Sequence, residues 1–310
     1  MRFLQVCGVW LLSGLAQAQY PEEIALNHDG VARTFYVYVP EDRPEASALV
    51  VAMHGYGSNA ESIMAYSGLN ALADTHGFIV AYPQGTSDKE QNAFFNVGYH
   101  FHRDSTVDDV DFIRHVVSYI GSHYSIRAQE VFATGMSNGG DMSYLLACQA
   151  ADVFRAVAPV AGTMMESQFN DCQPTRPLSV LAISGTADNV TWYAGDPENV
   201  GGWGAYVGVE SVVKGWVERL GKVNTATERK AFPHDDPINV FSHTTELGAE
   251  QVVLYRVEGG GHDWPGARFK WWDLRRLVAR YAMGFGKHQG FDASAEIVAF
   301  FNQYRVYEDS

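Results

Sequence analysis

The stretch Gln129-Glu130-Val131-Phe132-Ala133-Thr134-Gly135-Met136-Ser137-Asn138-Gly139-Gly140 decides the fold of this 310-residue chain. Its first half is rich in β-branched and aromatic residues, as in a buried strand, and a helix-like segment follows at residues 141–149. The spacing G-x-S-x-G places Ser137 at the turn, where flanking glycines let strand and helix approach closely. A serine on such a strained turn presents its hydroxyl beside a helix N-terminus, which favours negative charge. The pattern predicts Ser137 as a nucleophile; the simpler alternative is a glycine-rich turn with an incidental serine.

Apolar, strand-like runs alternate with helix-like segments along most of the chain. The runs are residues 33–39, 48–53, 78–83, 154–160, 177–183 and 252–257. One helix follows Ser58 or Asn59 as its cap and extends to about Thr75. Further helices are predicted at residues 106–124, 208–220 and 293–304. This alternation predicts an α/β protein with a mostly parallel central sheet and helices on both faces.

The first residues are typical of a secretory signal peptide. Arg2 supplies the positive charge, residues 3–15 the apolar segment, and Ala16-Gln17-Ala18 a cleavage site. An uncleaved membrane anchor is the alternative, although the apolar run is short for a bilayer. We therefore predict a signal peptide at residues 1–18, a secreted or periplasmic protein, and one domain at residues 19–310. Within it, the basic and aromatic segment 268–290 is either a lid or substrate wall, or a helix docked on the core.

Charge and cysteine content narrow the possible partners. The net charge of −14 argues against binding to nucleic acid or an anionic membrane, because both need a basic patch. Cys7 would leave with the signal peptide, so Cys148 and Cys172 remain as an even pair. In an oxidising compartment such a pair predicts a disulfide, with two buried thiols as the alternative. Neither cysteine has a metal-type spacing, and we expect no metal or organic cofactor and a monomeric protein.

The acidic run Asp108-Asp109-Val110-Asp111 opens a predicted helix. Its aspartates could be metal ligands, but adjacent helix positions do not converge on one ion. We favour capping and stabilisation of the helix N-terminus instead.

A serine nucleophile needs a base and an acid that orients the base. In doubly wound hydrolases these groups follow strand ends in the chain order Ser, Asp, His. Ser137, Asp188 and His262 have that order, and each lies in a glycine-containing turn after an apolar strand. Asp196 and Asp171 are less well placed as the acid. The other histidines lack this setting: His54 precedes the serine, and His288 lies within the 268–290 segment.

Acyl transfer also needs two backbone N–H groups that stabilise an oxyanion. The residue after the nucleophile, Asn138, would supply one. The loop His54-Gly55-Tyr56-Gly57 would supply the other, from Tyr56, with Gly55 letting the backbone approach and His54 shaping the loop. An ordinary glycine turn is the alternative for this loop.

Residues 48–57, 135–140, 184–188 and 259–266 resemble the esterase family that groups polyhydroxybutyrate depolymerases with secreted feruloyl and acetylxylan esterases (carbohydrate esterase family 1-like). The run Val107 to Val110 and the Cys148 and Cys172 pair also fit it. The resemblance implies the α/β-hydrolase fold and the triad Ser137, Asp188 and His262. Two departures concern substrate preference: residues 96–100 replace cysteines often found in relatives, and segment 268–290 is not part of the family core.

The expected function is therefore that of a secreted serine carboxylic-ester hydrolase, acting on feruloyl or acetyl esters of polysaccharides. A polyhydroxybutyrate (polyhydroxyalkanoate) depolymerase or oligomer hydrolase is the alternative, followed by a serine peptidase or a non-catalytic binding module. Trp192, Trp203 and Trp264 follow the predicted acid and base along the chain. They could stack on a phenolic acyl group or a sugar, or be half-buried packing residues.

Overall fold

The computed structural model describes residues 20–246, 248–267, 288 and 290–306. The predicted signal peptide and nearly all of segment 268–290 lie outside the described residues. The helices are α1 (Ala60–Ser67), α2 (Leu69–His76), α3 (Asp109–His123), α4 (Asn138–Gln149), α5 (Glu166–Asp171), α6 (Val209–Leu220) and α7 (Ala293–Asn302). The first strands are β1 (Glu22–His28), β2 (Val31–Tyr38), β3 (Ser47–Met53), β4 (Phe78–Pro83), β5 (Thr86–Ser87), β6 (Ala93–Phe94) and β7 (Ile126–Met136). The others are β8 (Ala156–Val160), β9 (Ser179–Gly185), β10 (Gly195–Asp196), β11 (Tyr206–Val207), β12 (Val223–Lys230), β13 (Ile238–Thr245) and β14 (Gln251–Val257).

Ten strands form one sheet in the order β1-β2-β4-β3-β7-β8-β9-β14-β13-β12. From β4 to β14 neighbouring strands are parallel. The outer pairs on both sides are antiparallel. The predicted architecture is confirmed in the centre of the sheet. The sequence analysis missed β1, β12 and β13, because strands with a largely exposed face lack the continuous apolar run of a parallel strand.

The sheet separates two hydrophobic cores. One lies beneath α3, α4 and α6 and includes Phe112 and Trp216. The other lies beneath α1, α2 and α7, where Phe132 of β7 stacks on Phe301 at 4.6 Å. Strands β3, β4 and β9 are buried along their whole length, since helices cover both of their faces. Within the described ranges, no helix is both long and apolar enough to cross a membrane.

The segment predicted as one helix to Thr75 consists of two helices. Asn59 caps α1, and its Oδ1 accepts the Ser62 N–H at 2.8 Å. Gly68 ends α1 with a φ of 65°, and α2 begins at the next residue. The prediction of one helix is wrong here, because a single glycine is compatible with a helix interior as well as with a left-handed helix end.

The prediction that the aspartates at the start of α3 cap the helix holds for Asp108 but not for Asp109. Asp108 is the N-cap and accepts the Asp111 N–H at 2.9 Å. Asp109, in contrast, is buried and forms an ion pair with Arg33 of β2 at 2.5 Å. Burial raises the pKa of Asp109 despite this partner. Asp109 therefore links the helix to the sheet and is not a solvent-facing capping residue.

A disulfide joins Cys148, near the end of α4, to Cys172, directly after α5. The two cysteines are 24 residues apart in the chain. A crosslink over a loop of this size stabilises a folded protein by roughly 3 kcal/mol, mainly because it restricts the unfolded chain.

We predict that replacing both cysteines by serine lowers the free energy of unfolding by about 3 kcal/mol. Denaturant unfolding of the two proteins under non-reducing conditions measures the difference. A reducing agent should destabilise the wild type and leave the double variant unchanged. Equal stabilities without reductant would contradict the prediction.

Candidate active site

Ser137 lies between β7 and α4 in a strained backbone conformation. Its φ is 55° and its ψ is −121°, a region that non-glycine residues rarely adopt. Its backbone is fixed on both sides, because its N–H donates to Val160 O and its carbonyl accepts the Asp141 N–H. The neighbouring backbones are too close for side chains: a Cβ on Gly135 would lie 2.4 Å from Gly139 O.

The loops after β9 and β14 hold Asp188 and His262 against each other. These strands are parallel neighbours, and Ala187 N–H donates to Gly260 O at 2.8 Å. A Cβ on Gly185 would lie 2.3 Å from Gly260 O, so only glycine permits this approach. His262 Nδ1 lies 2.8 Å from Asp188 Oδ2, and both side chains are buried.

The Asp188 carboxylate is oriented by its own loop. Its Oδ1 accepts the N–H groups of Val190 at 2.8 Å and Thr191 at 2.9 Å. The other oxygen is thereby directed at His262 Nδ1 and favours the tautomer that carries its proton there. This leaves Nε2 as the acceptor that a general base needs. Asp196, the alternative acid in the sequence analysis, instead accepts the N–H groups of Val200 and Gly201 and thereby stabilises its own loop.

Ser137, Asp188 and His262 all follow the carboxyl ends of parallel strands and therefore share one edge of the sheet. Among the described residues, the Ser137 hydroxyl and His262 Nε2 make no hydrogen bond with each other. Nucleophile–base contacts in substrate-free hydrolases are often long and tighten when substrate binds. The structure thus joins Asp188 to His262 and holds Ser137 on its turn at the same edge of the sheet.

Two backbone N–H groups beside Ser137 have no acceptor within the described part of the chain, those of Tyr56 and Asn138. The loop that carries Tyr56 touches the serine, because a Cβ on Gly55 would lie 3.4 Å from Ser137 Cβ. The Asn138 side chain exchanges two hydrogen bonds with the Phe95 backbone, at 2.7 and 2.9 Å. This pairing fixes the start of α4 to the loop beneath it.

His54 shapes the loop that carries Tyr56. The side chain is completely buried, and burial lowers its pKa to about 4. His54 is thus neutral near pH 7, with Nε2 accepting the Gly85 N–H at 2.9 Å. Its Nδ1–H consequently donates to Gly55 O at 2.8 Å. A donor on that carbonyl fixes the orientation of the peptide group that joins Gly55 to Tyr56.

Asp141, on the first turn of α4, is a site residue that the sequence analysis missed. It lines a narrow pocket with an accessible volume of about 20 Å³ together with Ser137, Tyr99 and Thr163. Its carboxyl accepts the Tyr99 O–H at 2.6 Å and the Thr163 N–H at 2.7 Å. Burial raises its pKa to about 7. Only the position of Asp141, four residues after the nucleophile, could have drawn attention to it.

The three tryptophans lie in different environments. Trp203 lines the narrow pocket and also an open groove beside it. Trp192 is partly exposed, and its backbone N–H donates to the hydroxyl oxygen of Tyr206. Trp264 is completely buried and donates from Nε1 to Ser294 Oγ at 3.0 Å. The prediction of a substrate-binding Trp264 is therefore corrected, because its ring belongs to the core.

The open groove has an accessible volume of about 850 Å³. Its aromatic wall consists of Tyr56, Phe101 and Trp203, whose ring centres are 5.4 to 5.7 Å apart. Asp88 supplies a polar side, where it accepts the Tyr56 O–H at 2.6 Å and lies 3.2 Å from His102. A groove of this size and character suits an extended, hydroxyl-rich ligand.

Residues 33–200 match the family described as esterase PHB depolymerase. The chain belongs to this family.

Putative esterase NocK from Nocardia uniformis subsp. tsuyamanensis is 32% identical over 239 residues, which cover 73% of this chain and 68% of NocK. Feruloyl esterase B from Piromyces equi is 30% identical over 70% of this chain and 40% of its own length. Poly(3-hydroxyalkanoate) depolymerase C from Paucimonas lemoignei is 30% identical over 74% and 58%, respectively. The chain thus spans about half the length of these last two relatives.

Solved structures support the same fold. Acetyl xylan esterase from Aspergillus awamori superposes with a TM-score of 0.56 at 16% identity, over 78% of this chain and 94% of that one. A thermostable esterase superposes with a TM-score of 0.53 at 14% identity, over 91% and 62%. The predicted α/β-hydrolase fold is confirmed, and the chain belongs to a family of esterases, as the sequence predicted.

Asp141 should make the stability of this esterase depend on pH. Its pKa is raised from 3.8 to about 7 by burial, so the folded state binds the proton more tightly than the unfolded chain. The stability that this provides is complete below pH 4 and is lost as the pH rises to about 7, by up to about 4 kcal/mol. Asp141→Asn should remove this dependence.

Denaturant unfolding of wild type and Asp141→Asn between pH 4 and 8 measures the effect. The wild type should lose stability relative to the variant as the pH rises. Asp42→Asn, a change in an exposed loop, is the control and should follow the wild type. Parallel curves for wild type and Asp141→Asn would show that Asp141 does not titrate as predicted.

Proposed function

We propose that this chain is a secreted serine carboxylic-ester hydrolase that acts through an acyl-enzyme on feruloyl or acetyl esters of polysaccharides. Its triad would be Ser137, His262 and Asp188. The observation that carries the proposal is the buried contact of 2.8 Å between His262 Nδ1 and Asp188 Oδ2, at the sheet edge that bears Ser137 on its strained turn.

In the proposed mechanism His262 Nε2 takes the proton of the Ser137 hydroxyl as the oxygen attacks the ester carbonyl. Asp188 holds the imidazole in the required tautomer and stabilises its positive charge. The protonated His262 then donates to the leaving alcohol. Water, deprotonated by the same imidazole, hydrolyses the acyl-enzyme and releases the acid.

The oxyanion of each tetrahedral intermediate would lie between Tyr56 N–H and Asn138 N–H. Both groups lack an acceptor among the described residues and flank Ser137. The hydrogen bonds of His54 and of the Asn138 side chain hold these donors in place before substrate arrives. Loss of one such donor typically costs about 10²–10³ in rate.

The two cavities beside Ser137 support an ester with a compact acyl group and an extended alcohol. The narrow pocket that contains Asp141 would take a small acyl group such as acetyl. The open groove with Trp203 would take the sugar chain that leaves as the alcohol. The similarity to feruloyl esterases and to a bifunctional acetylxylan esterase/xylanase supports this division. Of the predicted tryptophans, we retain Trp203, which lines both cavities, and the partly exposed Trp192 as candidates for substrate contact.

A polyhydroxyalkanoate depolymerase is the second candidate. It is favoured by the family description and by the similarity to poly(3-hydroxyalkanoate) depolymerase C. An extended groove could also hold a polyester chain, so the two candidates differ in what the groove recognises. Secretion is part of both proposals, and the disulfide between Cys148 and Cys172 supports it, since such bonds persist in oxidising compartments.

Ser137→Ala should lower ester hydrolysis by a factor on the order of 10⁴ or more, because no acyl-enzyme can form. Release of acid from p-nitrophenyl acetate, methyl ferulate, acetylated xylo-oligosaccharides and 3-hydroxybutyrate oligomers measures this. Ser122→Ala, at an exposed position on α3, is the control and should keep full activity. Turnover that survives in Ser137→Ala would contradict the mechanism. Cleavage of the hydroxybutyrate oligomers alone would favour the second candidate.

Trp203→Ala should raise KM for acetylated xylo-oligosaccharides about tenfold, since a ring that stacks on a sugar is lost. The KM for p-nitrophenyl acetate should change much less, because that substrate does not extend into the groove. Trp192→Ala tests the second candidate ring by the same comparison of substrates. Ser122→Ala, at an exposed position on α3, is the control and should leave both KM values unchanged. A similar change of KM for both substrates in Trp203→Ala would assign this ring to packing.

A further inference from the structure

A cluster of ionisable side chains outside the active site lies where the β1–β2 turn meets α3. His28 ends β1, Asp29 begins the turn, and Asp111 lies on the first turn of α3. Asp29 and Asp111 belong to different elements, so the sequence alone did not bring them together. One ligand atom from each of the three residues lies within 4.8 Å of the other two.

His28 is the unusual member of the cluster. It is only 7% exposed, and its Nε2 is buried without a hydrogen-bond partner among the described residues. That nitrogen faces Asp111 Oδ2 at 3.5 Å and Asp29 Oδ2 at 3.8 Å. Both distances are too long for a hydrogen bond. A buried polar atom that lacks a partner normally costs free energy and calls for an explanation.

The separations match those of ligands around a single ion. With bonds of about 2.1 Å in tetrahedral geometry, neighbouring ligand atoms are about 3.4 Å apart. The distances of 3.5 and 3.8 Å are close to this spacing. The carboxylates are also accessible, because the side chains of Asp29 and Asp111 are 79% and 60% exposed. An ion could therefore enter from solvent and keep a water ligand.

The other nitrogen of His28 is already engaged. His28 Nδ1 lies 3.3 Å from Nδ1 of His115, one turn further along α3, and the two rings are 5.5 Å apart. If His28 donates its Nδ1 proton to His115, Nε2 carries a lone pair directed at the carboxylates. Metal-ligating histidines typically donate their second N–H in this way, which fixes both the tautomer and the ring orientation.

We propose that His28 Nε2, Asp29 Oδ2 and Asp111 Oδ2 bind one divalent transition-metal ion of the zinc class, with water completing the coordination. An imidazole with two carboxylates suits Zn²⁺, Co²⁺ or Mn²⁺, whereas Ca²⁺ and Mg²⁺ prefer oxygen ligands alone. The ion links the edge of the sheet to α3, which the buried Arg33–Asp109 pair also joins to β2. The site lies at edge strand β1, four strands from β7 and Ser137, so its role is structural.

The test is calorimetric titration of the untagged, chelator-treated protein with Zn²⁺, Co²⁺, Mn²⁺, Ca²⁺ and Mg²⁺. We expect one Zn²⁺ or Co²⁺ per chain and an increase of several degrees in Tm at about 100 times Kd. Asp111→Asn and Asp29→Asn should each weaken binding at least tenfold, because each removes an anionic ligand. Asn tolerates the positive φ of residue 29, so the second variant keeps the turn. Asp42→Asn, an exposed change elsewhere, should bind like the wild type.

Three results would overturn the proposal. The first is no binding of Zn²⁺, Co²⁺ or Mn²⁺ at millimolar concentration, in which case His28 only packs beside the two aspartates. The second is binding that both asparagine variants retain. The third is Ca²⁺ binding that persists in His28→Leu, which would assign the site to the carboxylates alone. Hydrolysis of p-nitrophenyl acetate should be unchanged in Asp111→Asn, so this outcome is independent of the proposed triad.

Discussion

The close approach of three backbone segments beneath Ser137 is the constraint on which the rest of the structure depends. The end of β3, the end of β7 and the start of α4 meet where a Cβ on Gly139 would lie 2.1 Å from Met53 O. This crowding holds Ser137 at a positive φ, at a cost of about 1–3 kcal/mol. The strain persists because two hydrophobic cores fix the strands and helices on both sides. The same close packing recurs at Gly185 and Gly260, where it aligns the loops of Asp188 and His262.

The features that could be predicted from sequence are those with a short-range physical signature. Continuous apolar runs such as β3 and β4 indicate strands that helices cover on both faces. The glycines around Ser137 indicate the turn, and the order of strand ends predicts which aspartate and histidine share an edge of the sheet. The contact between Asp188 and His262 follows from these local patterns together with the geometry of parallel strands.

Features that depend on packing between distant elements could not be predicted in this way. Trp264 follows the predicted base directly, yet its ring turns into the core toward Ser294. In the sequence Asp109 belongs to an acidic helix start, but Arg33, with which it forms an ion pair, lies on β2. Strands β12 and β13 owe their position to antiparallel pairing, β13 with β14 and β12 with β13, and not to an apolar run of their own. For Trp264 and Asp109 the deciding contact is remote in sequence, so no local pattern carries it.

Asp141 illustrates how such a remote contact can bear on catalysis. Burial of a carboxyl group without a cationic partner destabilises the fold, and here the Tyr99 O–H and the Thr163 N–H offset only part of that cost, since the pKa remains raised to about 7. The positive charge of a protonated His262 lowers the pKa of Asp141, because the two side chains interact across the pocket. The proposed mechanism places such a charge on His262 in each acyl-transfer step. A carboxyl group that ionises near neutral pH beside Ser137 therefore lets the charge of the narrow pocket respond to the proton transfers of the proposed mechanism.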